Sequence, residues 1–302
     1  MKDSFKMNTT ASLGLFPKLP GQKYKSVDMK LSSTIIVLLL ATTLSAQSKI
    51  EKLKTKALKE GFLLYESEKA SWHGSDLFLE KFTDRSKIGG YVSYTDGDNP
   101  ICIFVSKDTL PKVLGTMTFD KTFNLENALT DLTERDLTAI EKEYLELRNK
   151  AKARISTDTI FKYYKNTNYN IVPVISDKER KVYVITASTA NGVVIFGNDY
   201  LISFDKKNKV SKTERLHKGM LTFKYGDDEN QVVAPMHSHL PEYDEIMTPT
   251  DICTTLLYQD LAGWESNYIM SDKYVSIWSC KKNELFIMTI KAWKKIAEQT
   301  KN

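Results

Sequence analysis

The segment MHSHLPEYDEIMTPTDI, residues 236–252, contains two of the four histidines of this chain. His237 and His239 stand two positions apart, and Asp251 follows twelve residues after the second histidine. If residues 232–239 form a strand, both imidazoles point to one face with their Cα atoms about 6.5–7 Å apart, so both could reach one ion. The segment therefore predicts either a metal site or only a strand that runs into a helix.

The residues downstream of the histidines predict the start of that helix. Thr248 suits the N-cap position, Pro249 the first helical position and Asp251 the third, where an acid completes a capping box. A capping acid needs no metal. The same arrangement nevertheless places a carboxylate directly after the histidine strand, where it could supply a third ligand. Two imidazoles, one carboxylate and an open position for water are what a hydrolytic zinc site requires.

This pattern resembles the metal motif of the JAMM (MPN) metallopeptidase superfamily, in which His-x-His precedes a short loop and Ser/Thr-x-x-Asp opens a helix. The resemblance covers about residues 125–302 and is most specific over 236–258. It implies a JAMM-like α/β sandwich with zinc as the cofactor and a peptide or isopeptide amide as the substrate. By the same resemblance, His237, His239 and Asp251 are the metal ligands, and the Thr248 hydroxyl is the catalytic group that assists at the oxyanion.

Two features depart from the family pattern. Leu240 separates His239 from the proline that usually follows it directly, which lengthens the loop by one residue. The family's general base, a glutamate on an earlier strand, corresponds best to Thr189, and without a carboxylate there we expect turnover to fall about 10²–10⁴-fold. Four glutamates in or beside predicted polar turns could replace this base: Glu179, Glu214, Glu242 and Glu245.

The remaining histidines have less defined roles. His217 is predicted to be a polar residue at a strand end. The alternatives are a supporting role beside the metal and a role as its fourth ligand. His73 is distant in sequence and is assigned to a loop of the N-terminal sheet. The turn over residues 197–200 is predicted to join two paired strands and receives no chemical role.

The N-terminal region has the pattern of a signal peptide. Met29 and Lys30 precede an apolar run over residues 35–41, and small residues lead to Gln47. We therefore predict a signal peptide over 29–46, an exported (periplasmic or secreted) protein that is mature from about Gln47, and an over-extended gene start over 1–28. The apolar run is far shorter than the roughly 20 residues of a spanning helix, so no transmembrane helix is expected in the mature chain.

Composition limits the classes of function. The chain has 302 residues and a formal net charge of +5, but residues 1–46 hold six lysines and two aspartates. The remainder therefore carries 37 basic and 36 acidic residues, a net charge of about +1, which argues against a nucleic-acid partner. Cys102, Cys253 and Cys280 lie in apolar settings, so we expect small buried hydrophobic side chains and no disulfide framework.

The hydrophobic patterns predict an α+β fold. A small, mostly β N-terminal domain is expected over 47–123, with a short helix over 48–60 and an antiparallel sheet after it, and a JAMM-like α/β sandwich over 124–302. The helices of the second part are expected at 124–155, with a break near Thr133, at 250–261 and from Lys291, and Glu141 and Glu143 are expected on the wet face of the first. The runs that predict strands are 62–65, 76–79, 90–94, 101–105, 117–123, 170–175, 181–186, 192–196, 200–204, 232–239, 267–270, 274–278 and 284–290.

These features predict an exported protein whose JAMM-like domain is a non-catalytic or weakly active metal-binding or structural module. One alternative is a zinc-dependent peptide or isopeptide hydrolase that uses His237, His239 and Asp251. The other is a protein that binds a partner or a glycan through its N-terminal sheet. The partner is expected to be an unknown protein or peptide. The aromatic residues of that sheet are Phe62, Tyr65, Trp72, Phe78, Tyr91 and Tyr94.

Overall fold

The structure, a computed structural model, describes residues 29–226 and 232–299, with side chains from residue 49 onward. The predicted gene start over 1–28 lies outside the described residues. The described residues contain four α-helices: α1 (Met29–Lys81), α2 (Ala139–Thr157), α3 (Pro249–Tyr258) and α4 (Ile290–Gln299). The strands are β1 (Ile88–Asp96), β2 (Asn99–Ser106), β3 (Lys112–Thr118), β4 (Leu129–Asp131), β5 (Arg135–Asp136), β6 (Thr167–Ile175), β7 (Arg180–Ser188), β8 (Val193–Gly197), β9 (Tyr200–Phe204), β10 (Val210–Arg215), β11 (Met220–Lys224), β12 (Met236–Ser238), β13 (Ser266–Met270), β14 (Tyr274–Ser279) and β15 (Glu284–Thr289).

The strands of the described chain form four sheets. Their orders are β1-β2-β3-β4 with β5 also on β3, β10-β9-β7-β6, β11-β8, and β12-β13-β14-β15. All the strand pairs are antiparallel except β12 with β13, which run parallel. Residues 50–302 form one compact unit. The helices and antiparallel sheets confirm the general α+β class, whereas the domain boundary at residue 123 stays a prediction.

The strands predicted at 62–65 and 76–79 are wrong, because helix α1 continues to Lys81. Residues 61–81 contain no valine, isoleucine or threonine, so the β-branched side chains that favour strands are absent there. Leu64, Ala70 and Phe78 are fully buried along this helix. Gly61 is required by packing, since a Cβ atom there would lie 2.7 Å from side-chain atoms of Ile252 on α3.

The helix predicted over 124–155 begins only at Ala139, after a single 3-10 turn and the short strands β4 and β5. Thr138 caps it, with its hydroxyl accepting from the Glu141 amide and the Glu141 carboxylate accepting from the Thr138 amide. The expectation that Glu141 lies on the wet face is therefore wrong, since its residue exposure is 1%. Glu143 is half-buried and pairs with Arg180.

The region before α3 also differs from expectation. A strand was expected over 232–239, but only its three residues Met236–Ser238 form one, β12. The turn at 197–200 does not join paired strands, because β8 pairs with β11 whereas β9 pairs with β7 and β10. Strands β10 and β11 were not predicted, and the segment between them carries His217.

The core beneath α3 fixes the position of that helix. Met247, Ile252, Ile269 and Trp278 are at most 1% exposed and belong to one cluster of buried side chains. Burying a side chain of this size contributes roughly 1.5–3 kcal/mol each. All three cysteines are free and buried, as expected from their apolar settings. Within the described residues, no helix has the length and apolar character needed to cross a membrane.

Candidate metal centre

Strand β12 presents two histidines to the protein interior. His237 is paired in register with Ile269 of β13, and the His239 amide donates to the Met270 carbonyl at 2.8 Å. His237 and His239 are buried while Met236 and Ser238 are exposed, which is the alternation of an extended chain. The two imidazoles therefore share a face, although the strand is shorter than predicted.

Helix α3 brings the carboxylate of Asp251 to the same place through its capping box. Asp251 Oδ2 accepts from the Thr248 amide at 2.9 Å and from the Thr248 hydroxyl at 2.6 Å, and Thr248 Oγ1 accepts from the Asp251 amide at 3.1 Å. Asp251 Oδ1 is buried and has no hydrogen-bond partner among the described residues. Oδ2 thus completes the cap and also approaches His239, while Oδ1 approaches His217 and His237.

His217 is the fourth member of the group. It lies in the segment between β10 and β11, where the Asn198 amide donates to the Gly219 carbonyl at 2.7 Å and the Leu216 amide to the Asp199 carbonyl at 2.8 Å. Gly197 permits this close approach, since a Cβ atom there would lie 2.4 Å from the Gly219 carbonyl oxygen. These contacts hold the His217 ring above the first turn of α3.

The four side chains converge on one point. Asp251 Oδ1 lies 3.5 Å from His217 Nε2 and 3.4 Å from His237 Nε2, while Asp251 Oδ2 lies 3.3 Å from His239 Nε2. One potential ligand atom from each of the four residues lies within 4.8 Å of the other three. The edge of a tetrahedron with metal–ligand bonds of about 2.0–2.1 Å is about 3.3–3.4 Å. The three distances between Asp251 and the imidazoles are close to this edge.

The hydrogen bonding of these atoms also fits a cation. Nε2 of all three histidines and Oδ1 of Asp251 are buried, and they have no hydrogen-bond partner among the described residues. Buried polar atoms in folded proteins are nearly always hydrogen-bonded, so four unpartnered atoms at one point require another explanation. His217, His237, His239 and Asp251 form a group that could hold a metal ion.

Neighbouring groups orient two of the rings. His239 Nδ1 lies 3.0 Å from the main-chain carbonyl oxygen of Asp244. His217 Nδ1 lies 3.4 Å from Oδ2 of Asp199, whose other oxygen accepts from the Thr186 amide at 2.9 Å. The hydrogen bond fixes the orientation of the His239 imidazole and leaves its Nε2 facing the other ligands. The Asp199 carboxylate orients the His217 ring by its charge, since His217 Nδ1 has no hydrogen-bond partner among the described residues.

The electrostatics of the group favour a positive charge on His217 and a negative charge on Asp251. Burial alone would lower the pKa of His217, but the carboxylates of Asp251 and Asp199 outweigh it and raise the pKa to about 10. Burial alone would raise the pKa of Asp251, but the charge of His217 and the close approach of the other two imidazoles hold it well below its usual range. Without an ion, the Asp251 carboxylate is ionised and His217 is protonated, so a cation that binds here displaces the His217 proton.

A small pocket opens beside the three imidazoles. Its volume is about 190 Å³. The side chains of Phe196, Met220, Leu221 and Leu240 contribute to its lining together with the three histidines. The group is thus buried beneath a narrow, mainly apolar opening.

The structure thus brings together His237, His239 and Asp251, the three residues that the sequence proposed as ligands. It adds His217, for which the sequence left three roles open, and the buried carboxylate of Asp199, which the sequence analysis missed. The only signal for Asp199 was a polar pair, Asn198 and Asp199, between two apolar strands. The catalytic role of the Thr248 hydroxyl stays a prediction, and in the structure this hydroxyl contacts Asp251 and Thr250.

The other candidates lie apart from the group. His73 lies on helix α1 and packs against Phe119 and Phe123, so its assignment to a sheet loop is wrong. Among the described residues, no glutamate belongs to the group of potential ligands. Of the four glutamates considered as a replacement base, Glu242 is exposed and the other three pair with lysines: Glu179 with Lys181, Glu214 with Lys212 and Glu245 with Lys273.

Comparison of the chain with protein-family models, with curated proteins and with solved structures gave no match. The function must therefore be argued from the geometry of the site.

Proposed function

We propose that this protein binds one zinc ion through His217, His237, His239 and Asp251, and that the ion stabilises the fold. The observation that carries the proposal is the convergence of four buried, unpartnered ligand atoms from three separate segments of the chain. Imidazole nitrogen with carboxylate oxygen is a common zinc ligand set.

The number of protein ligands supports a structural role. Structural zinc sites have four protein ligands, whereas catalytic sites keep one position open for water. His217 supplies the fourth ligand here and leaves no such position. When bound, the ion would cross-link the β10–β11 segment, β12 and α3, and its binding free energy would add to the free energy of folding.

We also propose that residues 124–302 are a divergent JAMM-like domain. The order of β12, α3, β13 and β14, and the meeting of His237, His239 and Asp251, support this relationship. The position that corresponds best to the family's general base is Thr189, which is exposed. Export after cleavage near Gln47 is part of the same proposal and rests on the signal-peptide pattern.

A zinc-dependent peptide or isopeptide hydrolase is the second candidate. The observation that favours it is the pocket of about 190 Å³ that touches all three imidazoles. In that case His217 would have to leave the ion, so that a water molecule could take the fourth position. The two candidates therefore differ in the role of His217.

Metal analysis of untagged protein tests the proposal directly. We expect about one zinc per chain in the wild type and almost none in His239→Ala, because a buried three-ligand remnant binds far more weakly. His73→Ala is the matched control, since this remaining histidine lies outside the group, and it should keep its zinc. Zinc-free wild-type protein that also fails to take up added zinc would contradict the proposal.

The variant His217→Ala distinguishes the two candidates. If His217 is a ligand of a structural site, its loss should weaken zinc affinity by at least about 100-fold in a chelator competition and lower the melting temperature. A hydrolytic site with three ligands would retain stoichiometric zinc in this variant, and the wild type would cleave peptide or isopeptide substrates in a way that a chelator stops. That combination of results would replace the structural role with the enzymatic one.

A further inference from the structure

A second cleft lies at the opposite end of α3 from the metal centre. Its volume is about 430 Å³, and its walls come from α1, β6, the β7–β8 loop, the segment after β11 and the last turn of α3. Tyr258 lines the cleft, seven residues after Asp251, which corresponds to about 10 Å along a helix. The cleft is thus separate from the zinc-binding group.

One wall of the cleft is aromatic. Trp72 is 42% exposed, and its ring centroid lies 6.2 Å from that of Tyr258, which in turn lies 6.2 Å from that of Tyr225. Trp and Tyr combine an apolar ring face with a polar tip. The planes of neighbouring rings are tilted by 43° and 53°, so the three rings form an angled aromatic wall for a ligand that has both apolar and polar faces.

The facing wall carries amide groups and a carboxylate. Asn168 and Asn170 stand two apart on β6 and share a face, and Asn191 lies in the β7–β8 loop. Asn170 donates to the carboxylate of Glu68, which is itself buried. No described residue hydrogen bonds to the side chains of Asn168 and Asn191, so their donors and acceptors are available to a ligand. Hydroxyl groups, which both donate and accept, complement such amides.

The charges around the cleft favour a neutral ligand. Among the described residues, Glu68 and Asp76 line the cleft and no lysine or arginine does, which disfavours phosphate, sulfate or carboxylate groups. The ammonium group of Lys69 already lies 5.6 Å from the centroid of a Trp72 ring, and the guanidinium group of Arg148 lies 4.5 Å from that of the Tyr91 ring. These two positive charges would repel a cationic ligand that approached the same rings.

We propose that this cleft is a binding site for a neutral saccharide. A sugar ring would lie on the wall formed by Trp72, Tyr258 and Tyr225, and its hydroxyl groups would hydrogen bond to Asn168, Asn191 and the Glu68 carboxylate. This function is independent of the zinc-binding group, because the two sites use opposite ends of α3.

Binding to immobilised oligosaccharides tests this proposal on the full chain. The probes are neutral oligomers of hexoses and of N-acetylhexosamines, with sialylated and sulfated oligosaccharides and choline as charged comparators. We expect wild-type protein to bind at least one neutral probe. Trp72→Ala and Asn191→Ala should each weaken that binding by about tenfold or more, since Trp72 supplies the most exposed ring of the aromatic wall and Asn191 an unpartnered amide of the other.

The matched control is Tyr163→Ala, which removes a 66% exposed aromatic residue outside the cleft and should leave binding unchanged. Circular dichroism and the melting temperature show whether each variant is folded, and Asn191 lies on an exposed loop where its substitution disturbs little. The proposal is overturned if the wild type binds no neutral probe, if it binds a charged comparator more tightly, or if folded Trp72→Ala and Asn191→Ala bind like the wild type.

Discussion

The first turns of α2 and α3 are built from the same local rule but have different surroundings. Thr138 and Glu141 form a capping box at the start of α2, and Thr248 and Asp251 form one at the start of α3. Both acids are 1% exposed. In each box the threonine hydroxyl accepts from the amide of the acid, and the acid accepts from the threonine amide.

The two carboxylates differ in what their remaining lone pairs meet. Glu141 accepts from both terminal nitrogens of Arg135, at 2.7 and 2.8 Å, and from the Tyr94 hydroxyl at 3.0 Å. Asp251 Oδ1 lies near the imidazole nitrogens of His217 and His237, but it makes no hydrogen bond with any described residue. A buried carboxylate whose oxygens are all hydrogen-bonded has a structural role. A buried carboxylate with an unpartnered oxygen indicates that a bound ion or molecule supplies the missing partner.

The two capping boxes should differ most in how substitution of their acid changes the zinc content. Asp251→Asn should reduce zinc from about one per chain to almost none and lower the free energy of unfolding by at least about 3 kcal/mol, because it uncouples three buried imidazoles from their charge partner and from the ion. Metal analysis and urea unfolding of the same samples measure both effects.

Glu141→Gln is the matched control for this substitution. It should lower the free energy of unfolding by about 2–3 kcal/mol, since Arg135 loses its charged partner, yet leave the zinc content unchanged. If both variants lost zinc equally, the loss would follow from general destabilisation, and the distinction between the two carboxylates would fail.

The free energy of unfolding should depend on pH through the ionisation of Glu141 in the capping box of α2. Burial alone would raise the pKa of Glu141, but bonds from Arg135, the Thr138 amide and Tyr94 outweigh it and lower the pKa from 4.5 to about 2. A carboxyl whose pKa is lower in the folded state contributes stability above pH 4.5 and loses it as the pH falls towards 2. The contribution is about 3 kcal/mol.

Urea unfolding between pH 6 and pH 3 measures this effect. Wild-type protein should lose stability more steeply than Glu141→Gln over this range, so that the two curves approach each other at low pH. A constant difference between the curves would show that the Glu141 carboxylate is not held in its ionised form by these partners.

The smallest expected effects come from the two threonines. Thr138→Ala and Thr248→Ala each remove an N-cap hydroxyl and should lower the free energy of unfolding by about 1 kcal/mol. Only Thr248→Ala should also weaken zinc affinity, by about tenfold, because the Thr248 hydroxyl orients Asp251. Chelator competition distinguishes them, and equal zinc affinity in both variants would mean that the cap of α3 does not support the metal centre.

Local patterns predicted part of the fold and part of the site. The general α+β class, the strands at 170–175 and 181–186 and the start of α3 follow from alternation and capping signals that act over a few residues. The same capping signal is present at Thr138 and Glu141, but the apolar spacing over 124–155 predicted a helix that begins earlier and carries Glu141 on its wet face. The helix over 61–81 was missed because aromatic and leucine runs of four residues fit either structure.

The sequence by itself determined that His237 and His239 would share a face and that Asp251 would open a helix, since both follow from the geometry of adjacent residues. Only the tertiary structure decided that His217 and Asp199 join them. Their positions depend on β8 and β9 entering different sheets, which brings the β10–β11 segment over α3. Such pairing is set by contacts between residues far apart in the chain, and no local pattern encodes it.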